Sequence, residues 1–384
     1  MDFELTDEQK MMKDMARDFA EEKIRPTMEE DEKAHRFRPE IVKQMAELGM
    51  FGCIAPEEYG GNETGFLAAT IMTIEIARVT PSWGLPFNLQ MMGPQTILLN
   101  WGTEEQKKKY LPGLINGDLF GCFAITEANT GSDVASMKTY AEDKGDYYLL
   151  NGSKMWISGI PYADCGVVFA VTNKEAKPKH RGISCFFLDL KAPGIKQIAI
   201  ETKLGLACAP TGEIVFEDVE VPKDALVGEP DKGFRMCMTM LDNTRLSSAA
   251  RAVGVSQACL EYAVQYAKER TQFGQPIMNF QMIQDQIAQM AVEHDAAELL
   301  VYRSAYLKDK GVRNTRETSM AKYYAAEAAV HAADLAVKIY GSYGFSSEYP
   351  VERYYRDSKS YQIVEGTSNI QKIIIAGYAL GTRK

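Results

Sequence analysis

The amino-acid sequence predicts an α+β protein with an N-terminal helical domain, a central antiparallel β-barrel-like domain and a C-terminal four-helix bundle. Apolar residues recur at helical spacing up to about residue 113 and again after residue 227, whereas between residues 118 and 222 they form short runs bounded by turn residues. No helical stretch separates these short runs, which favours antiparallel strands. We therefore expect domains at residues 1–118, 119–227 and 228–384.

The composition is that of an ordinary globular protein and excludes several function classes. The chain has 384 residues, of which 46% are hydrophobic, so it can bury a sizeable core. Its net charge of −9 is spread without a basic block, which argues against nucleic acid as a partner. No apolar run approaches the roughly 20 residues of a membrane span, so we expect no membrane insertion.

The seven cysteines show neither disulfide nor zinc spacing, because no CxxC motif occurs. No cleavable leader is visible, and Thr6 followed by Gln9 is typical of a helical capping box. These features predict a cytoplasmic protein without a metal site.

The N-terminal third is predicted to be helical, with interruptions at Pro56 and at Gly60. Residues 68–79 have the composition of a buried helix that ends near Pro81. We expect residues 82–86 to form a loop after it.

Short apolar runs at residues 147–150, 167–171, 184–188 and 214–216 predict the strands of the central domain. The dipeptide Asn151-Gly152 is a frequent hairpin turn, so we expect a hairpin there.

The C-terminal part is predicted to contain helices at residues 233–242, 246–273, 281–310, 315–341 and 365–380. Ile283, Ile287 and Met290 follow helical spacing and indicate the core of a bundle rather than a cofactor site.

A carboxylate at Glu365 precedes Gly366 and three small polar residues near the C-terminus. A glycine without Cβ would allow the acid to approach a ligand closely. Alternatively, the stretch is a helix N-terminus in which Thr367 or Ser368 is the cap and Glu365 stabilises the dipole. The residues alone leave both interpretations open.

Two further polar clusters could carry chemistry. The four histidines lack metal spacing, and neither GxSxG, GxGxxG nor GxxxxGK[ST] occurs. The turn at residues 131–133 could bind a phosphate through backbone N–H groups, and Trp156 places an aromatic face next to Ser158. A lone Trp is otherwise most often a core residue.

Taken together and in this order, the motifs resemble the acyl-CoA dehydrogenase family over essentially the whole chain. The supporting segments are Pro56-Glu57-Glu58-Tyr59-Gly60-Gly61, Ile125-Thr126-Glu127 with Gly131-Ser132-Asp133, Asn151-Gly152-Ser153-Lys154-Met155-Trp156-Ile157-Ser158, Glu269-Arg270-Thr271-Gln272-Phe273-Gly274 and Glu365-Gly366-Thr367.

This resemblance implies FAD as cofactor, a homotetramer, and α,β-dehydrogenation of an acyl-CoA thioester with an electron-transfer flavoprotein as electron acceptor. It implies Glu365 as catalytic base, since the alternative family position for the base is Thr244 here. By the same resemblance, the residues expected at the FAD are Phe123, Ile125, Thr126, Ser132, Trp156, Ile157, Ser158, Lys338, Gly341, Ser342, Thr367 and Asn369.

The residues that it implies for the FAD of a neighbouring subunit are Arg270, Gln272, Phe273 and Gln281. Those that it implies for the CoA thioester are Ser132, Asp242, Thr244, Arg245 and Gly366. Three positions depart from the usual family pattern, namely Gly159 in place of Asn, Lys338 in place of Gln and Ser342 in place of Gly.

The alternatives are an acyl-CoA oxidase, which gives electrons to oxygen, and a non-catalytic flavin-binding member of the fold, against which Glu365 argues. The sequence around residues 343–350 is similar to the glutaryl-CoA and alicyclic acyl-CoA dehydrogenase branch. Gly84 stands where glutaryl-CoA dehydrogenases have a carboxylate-binding Arg, so we expect a short-chain or alicyclic acyl group without a distal carboxylate. The apolar wall expected around this acyl group comprises Trp83, Leu85, Pro86, Phe87, Met91 and Met92.

Overall fold

A computed structural model describes residues 4–383 and shows three successive regions, of which the first is helical. Its α-helices are α1 (Asp7–Phe19), α2 (Met28–Ala34), α3 (Pro39–Glu47), α4 (Gly65–Val79), α5 (Thr96–Trp101) and α6 (Glu104–Asn116), with π-helical segments at Ala20–Ile24 and Phe87–Gln95. The capping box at Thr6 is confirmed, because the N–H of Gln9 donates to Thr6 Oγ1 at 3.2 Å and the N–H of Thr6 donates to Gln9 Oε1 at 3.0 Å.

The second region is a curled seven-stranded sheet. Its strands are β1 (Gly121–Ala124), β2 (Tyr140–Asp143), β3 (Tyr147–Ser158), β4 (Cys165–Val171), β5 (Ile183–Asp189), β6 (Ile195–Ala199) and β7 (Thr211–Pro222). They follow the order β1-β4-β2-β3-β7-β6, with β5 also paired to β4. The predicted antiparallel arrangement holds for four pairings, whereas β4 pairs in parallel with β1 and with β2.

The predicted hairpin at Asn151-Gly152 is wrong, because both residues lie inside the long strand β3. The register between β3 and β7 shifts between Leu150 and Gly152, so the dipeptide forms a bulge instead of a turn. Gly152 has φ +136°, and a Cβ there would lie 2.7 Å from the Cα of Thr139. Glycine is required here by close strand packing.

The third region is a helical bundle of α7 (Gly233–Glu269), α8 (Gln281–Asp309), α9 (Thr315–Tyr340), α10 (Val351–Ser358) and α11 (Ser368–Ala379), with a short hairpin β8 (Thr271–Gln272) and β9 (Gln275–Pro276). The two helices predicted for residues 233–273 are one continuous helix. The polar residues between the two predicted segments do not interrupt the helix, because their side chains have partners outside it. Asn243 donates to Thr96 Oγ1 at 2.9 Å, and Thr244 also bonds to a residue outside the helix. Met290 lies fully in the bundle core, with Ile283 and Ile287 packed against it.

Helix α4 joins the N-terminal region to the bundle, since it packs against α7 and α8 as well as α1. All seven cysteines are buried and unpaired. Within residues 4–383, no helix combines the length and the apolar composition needed to cross a membrane.

Candidate active site

A cavity of about 1690 Å³ lies where the three regions meet. Its wall contains most of the residues expected at the cofactor and substrate. They are Phe123, Ile125, Thr126, Ser132, Trp156, Ile157, Ser158, Asp242, Arg245, Glu365, Gly366 and Thr367. Elements more than 200 residues apart in sequence therefore contribute to one site.

Glu365 places its carboxylate at this cavity and is held by two side chains. Thr244 donates to its Oε2 at 2.6 Å, and Asn88 donates weakly to its Oε1 at 3.4 Å. Thr244 is fully buried on α7. Its position is the one that the resemblance gives as the alternative place for the catalytic base, but here its side chain orients Glu365. The backbone N–H of Glu365 donates no hydrogen bond to residues 4–383 and is free to bind a ligand.

A strained bend presents Glu365. Its φ is +57° and that of Gly366 is +85°, two successive left-handed residues of which only the second is a glycine. Arg245 donates to the Glu365 carbonyl at 3.2 Å, while Gln371 and Lys322 donate to the Gly366 carbonyl at 2.9 and 2.8 Å. These bonds hold the bend in place.

The helix that follows the bend begins at Ser368, not at Glu365. Thr367 is its cap and accepts from the N–H of Ile370 at 3.3 Å. The capping interpretation of the sequence is therefore right for Thr367, but Glu365 lies before the helix and its side chain bonds elsewhere.

Lys322 is the buried cation beneath this bend. Besides Gly366, it donates to the carbonyl of Tyr361 at 2.7 Å. Burial lowers the pKa of its ammonium to about 7, although the nearby Glu365 carboxylate opposes that shift. None of the sequence motifs points to Lys322, which lies among the alanines of α9.

Asp242 and Arg245 form a fixed polar pair at one end of the cavity. Arg245 is buried and its Nη1 lies 2.7 Å from Asp242 Oδ1, while Thr315 donates to the other carboxylate oxygen at 2.7 Å. Both oxygens of Asp242 are thus occupied by protein donors, which leaves Arg245 partly neutralised.

A β-bulge presents Trp156 to the cavity. The register between β3 and β7 shifts between Lys154 and Ile157, and Trp156 has φ +63° with 55% of its surface exposed. A bulky residue in this conformation is a genuine outlier, and bulges of this kind often re-aim side chains next to active sites. The alternative of a core Trp is excluded.

Glu127 and Lys154 form a buried ion pair behind the turn at residues 131–133. Lys154 Nζ lies 3.0 Å from Glu127 Oε1, and Glu127 also accepts from the N–H groups of Lys138 and Thr139 at 2.7 and 2.9 Å. Glu127 also lines the cavity, but its carboxylate oxygens accept from Lys154 and from these backbone N–H groups, so it holds the turn in shape rather than offering a free base.

The wall formed by β1 and β3 fits the flavin of FAD. The hydroxyls of Thr126, Ser132 and Ser158 line the cavity, and none bonds to another of the residues 4–383. Beside them lie the exposed face of Trp156 and the apolar side chain of Phe123. Unpartnered hydroxyls next to an aromatic face suit a flat ring with polar edges.

Seven of the predicted cofactor residues lie outside this cavity, on a separate surface: Arg270, Gln272, Phe273, Gln281, Lys338, Gly341 and Ser342. Phe273 is 93% exposed at the tip of the hairpin β8–β9, and Lys338 pairs with Asp334 at 2.6 Å. Asn369 is exposed on α11, one residue beyond Ser368, and does not line the cavity.

The expected apolar wall near Gly84 is mostly wrong. Trp83, Phe87 and Met91 are buried in the core of the N-terminal region, as is Met92, and Pro86 is also absent from the cavity lining. Only Leu85 of that set lines the cavity, together with Leu89. Phe87, Met91 and Met92 belong to the π-helical turns of residues 87–95, which direct their side chains into the domain core.

Gly159 explains one departure from the family pattern. Its φ is +96°, a conformation that Gly adopts without strain and that Asn tolerates better than other residues. A Cβ here would also lie 3.3 Å from the Gly121 carbonyl and from the side chains of Leu89 and Phe120, so glycine fits this position with less strain than Asn would.

The helical–sheet–helical order, the wall suited to a flavin and the Glu365 carboxylate in the same cavity are together typical of a flavoprotein oxidoreductase. The sequence patterns of the acyl-CoA dehydrogenase N-terminal, middle and C-terminal domains match residues 6–118, 122–219 and 231–380. The chain belongs to the acyl-CoA dehydrogenase family, whose members are FAD-dependent enzymes acting on acyl-CoA.

Relatives of known name cover the whole chain. Glutaryl-CoA dehydrogenase of Desulfococcus multivorans is 47% identical over 100% of this chain and 99% of its own. The caffeyl-CoA reductase-Etf complex subunit CarC of Acetobacterium woodii is 42% identical over 98% and 99%. The structure of butyryl-CoA dehydrogenase from Megasphaera elsdenii matches with a TM-score of 0.96 at 37% identity, over 99% and 100%.

Proposed function

We propose that this enzyme catalyses α,β-dehydrogenation of a short-chain or alicyclic acyl-CoA thioester, with Glu365 as the base and an electron-transfer flavoprotein as electron acceptor. The observation that carries the proposal is the Glu365 carboxylate, oriented by Thr244 at 2.6 Å, in the same cavity that Trp156 lines.

Glu365 would remove the proton from the α-carbon of the thioester. Thr244 fixes the direction of its carboxylate, and the left-handed bend brings it forward into the cavity. The free N–H of Glu365 would donate to the thioester carbonyl, on which negative charge develops as the proton leaves. One residue would therefore supply both the base and a donor for the developing charge.

The residues that would hold FAD are Phe123, Ile125, Thr126, Ser132, Trp156, Ile157 and Ser158 on the sheet, with Thr367 at the bend. When bound, FAD supplies the acceptor for the hydride that leaves the β-carbon. Closure of the wall by Trp156 would exclude water from the reacting carbons, which strengthens each electrostatic contact there.

Asp242, Arg245, Ser132 and Gly366 would bind the CoA side of the thioester. The resemblance implies Thr244 there too, but it is fully buried and does not line the cavity, so it would act only through Glu365. Asp242 and Arg245 fix each other at 2.7 Å, so they present a rigid polar edge. The electron-transfer flavoprotein partnership is supported by the relative named as a subunit of an Etf complex. The unpaired, buried cysteines agree with the cytoplasm as the location.

Anaerobic stopped-flow reduction of the bound flavin by an acyl-CoA tests the proposal. Glu365→Gln keeps size and hydrogen-bonding shape but removes the basic carboxylate. We expect the reductive rate to fall by roughly 10²- to 10⁴-fold, the usual contribution of a positioned base, with FAD content and thioester binding preserved.

Near-equal rates in both proteins would remove Glu365 from the mechanism. A second measurement compares turnover with electron-transfer flavoprotein and with oxygen, and faster turnover with oxygen would indicate an oxidase.

A further inference from the structure

Arg251 is a buried cation on the cavity wall to which the proposed mechanism gives no role. It lies seven residues after Thr244 on α7, hence on the same helix face and about 10 Å further along the axis. Because Asp242 lies on the other side of Thr244, Arg251 belongs to the end of the cavity away from the proposed CoA edge. Only 2% of its surface is exposed, yet it contributes to the cavity lining.

No nitrogen of Arg251 has a hydrogen bond or ion pair with any of the residues 4–383, and Nε is fully buried without a partner. Its guanidinium carbon lies 5.6 Å from the ring centroid of Tyr361. Arg245 on the same helix is similarly buried but is paired with Asp242. Burying a guanidinium without an anion is costly, so an unpaired one facing a cavity indicates a site for an anionic ligand.

Gly84 provides the space for Arg251. A Cβ at Gly84 would lie 2.7 Å from Arg251 Cγ and 2.9 Å from its Cδ. The sequence suggested that the missing Arg at position 84 leaves an apolar wall. In the structure, the glycine instead admits a cation from α7, which removes the reason for expecting no distal carboxylate.

The charges nearby do not compensate Arg251. The carboxylate of Glu365 is already oriented by Thr244 and Asn88, and it is the proposed base. Lys322, a further buried cation in this area, donates to two backbone carbonyls and so supplies no anion to Arg251.

We propose that Arg251 binds a carboxylate at the far end of the acyl group, which makes the substrate the CoA thioester of a short dicarboxylic acid. The planar guanidinium matches a carboxylate with two parallel hydrogen bonds. Leu85 and Leu89 would contact the methylene groups between the two ends. The proposal rests on the proposed function for the position of the reacting carbons.

The test measures binding as well as turnover. In Glu365→Gln holoenzyme, the dissociation constants of succinyl-, glutaryl- and adipyl-CoA are compared by calorimetry with those of the corresponding terminal amides, which have the same size but no charge. We expect at least one acid to bind about 10- to 100-fold more tightly than its amide, as charged hydrogen bonds typically allow.

Arg251→Gln in the same background should abolish that ratio, whereas Arg251→Lys should retain part of it because the charge remains. Gly84→Ala should also reduce the preference for the acid over the amide, because the added methyl would displace the Arg251 side chain without removing its charge. Flavin content and thermal midpoint serve as controls for folding in each variant.

Equal binding of acids and amides by the parent protein, or an equal loss for both in Arg251→Gln, would overturn the proposal. Failure of the proposed function has a different signature. In that case the acid-to-amide ratio persists while Glu365→Gln leaves the rate of flavin reduction unchanged.

Discussion

At the scale of single residues, the site depends on conformations that few side chains adopt. Glu365 and Trp156 both have positive φ, and neither is a glycine. Such strain persists only where surrounding contacts hold it, and it concentrates at functional sites. Both residues that the motifs single out thus have strained backbones at the cavity, and Leu206, with φ +55°, is a third such residue in its lining.

Thr244→Val removes the hydroxyl that donates to Glu365 Oε2 at 2.6 Å while keeping the side-chain shape. We expect the rate of flavin reduction to fall roughly 10- to 100-fold, because a charge-assisted hydrogen bond no longer orients the carboxylate. Stopped-flow kinetics at saturating substrate measure this rate.

Because Thr244 is buried, thermal melting and flavin content provide the control for packing. A positioning role predicts a loss in kcat with little change in the dissociation constant of the thioester. Unchanged kcat in a stable Thr244→Val protein would show that Asn88 and the bend alone are sufficient.

At the scale of elements, the sequence predicted helices and strands correctly where the apolar pattern extends over many residues. It failed where tertiary contacts decide the local structure. The apolar runs of β3, β4, β5 and β7 all lie in strands. The Asn151-Gly152 turn failed because Asn151 pairs with Asp218 on β7, with its Nδ2 3.0 Å from Asp218 Oδ1. Local turn preference was overridden by pairing with a strand some 60 residues away.

Motif order predicted the cavity residues, but not what supports them. Lys322 and Arg251 lie in helices with apolar surroundings, and no pattern distinguishes a buried Lys or Arg from a surface one. Which face of α7 or α9 lines a cavity depends on the packing of the bundle, and this is not encoded in a short motif.

The loop between β6 and β7 is attached to α10 by Asp357, whose Oδ1 accepts from the N–H of Leu206 at 2.5 Å. This matters to the site because Leu206 and Lys203 line the cavity. Complete burial, with the negative charge of Glu32 adding to it, raises the pKa of Asp357 to about 7.

The raised pKa of Asp357 makes the free energy of unfolding depend on pH in a defined direction. Below about pH 4, Asp357 is protonated in both the folded and the unfolded protein. As the pH rises toward 7, the unfolded chain loses its proton first, so this group contributes stability that is progressively lost. Asp357→Asn resembles the protonated acid at every pH and should not show this loss.

We therefore expect the melting temperature of the wild type, relative to Asp357→Asn, to fall by a few °C between about pH 4 and 7. Differential scanning calorimetry across this range measures the difference, and the exposed Asp146→Asn serves as the matched control. Parallel curves for wild type and Asp357→Asn would show that the burial of Asp357 does not govern its titration.

At the scale of the whole molecule, one chain supplies only part of the predicted cofactor site. Twelve predicted residues surround the cavity, whereas Arg270, Gln272 and Phe273 project from the bundle on a separate hairpin. The exposed Phe273 has φ +51° and the following Gly274 +77°, a tight turn that holds the aromatic ring outward. A large exposed aromatic at a rigid tip is suited to contact with another protein surface.

We expect a homotetramer in which this hairpin helps to hold the FAD of a neighbouring subunit. Phe273→Ala should weaken assembly and flavin retention together, because one contact serves both. Phe273 is 93% exposed and its ring meets that of Phe280 edge-on, with centroids 6.0 Å apart, so the loss of its ring should leave the fold of each subunit intact.

Sedimentation velocity together with the ratio of flavin to protein absorbance tests this expectation over a dilution series. Met11→Ala is the matched control, since it removes another strongly exposed apolar side chain, on α1 and far in sequence from the hairpin. The wild type and the control should remain tetrameric and yellow at concentrations where Phe273→Ala dissociates and loses FAD. A Phe273→Ala protein that dissociates but keeps its flavin would separate assembly from cofactor binding, and a monomeric wild type with full flavin would exclude a shared site altogether.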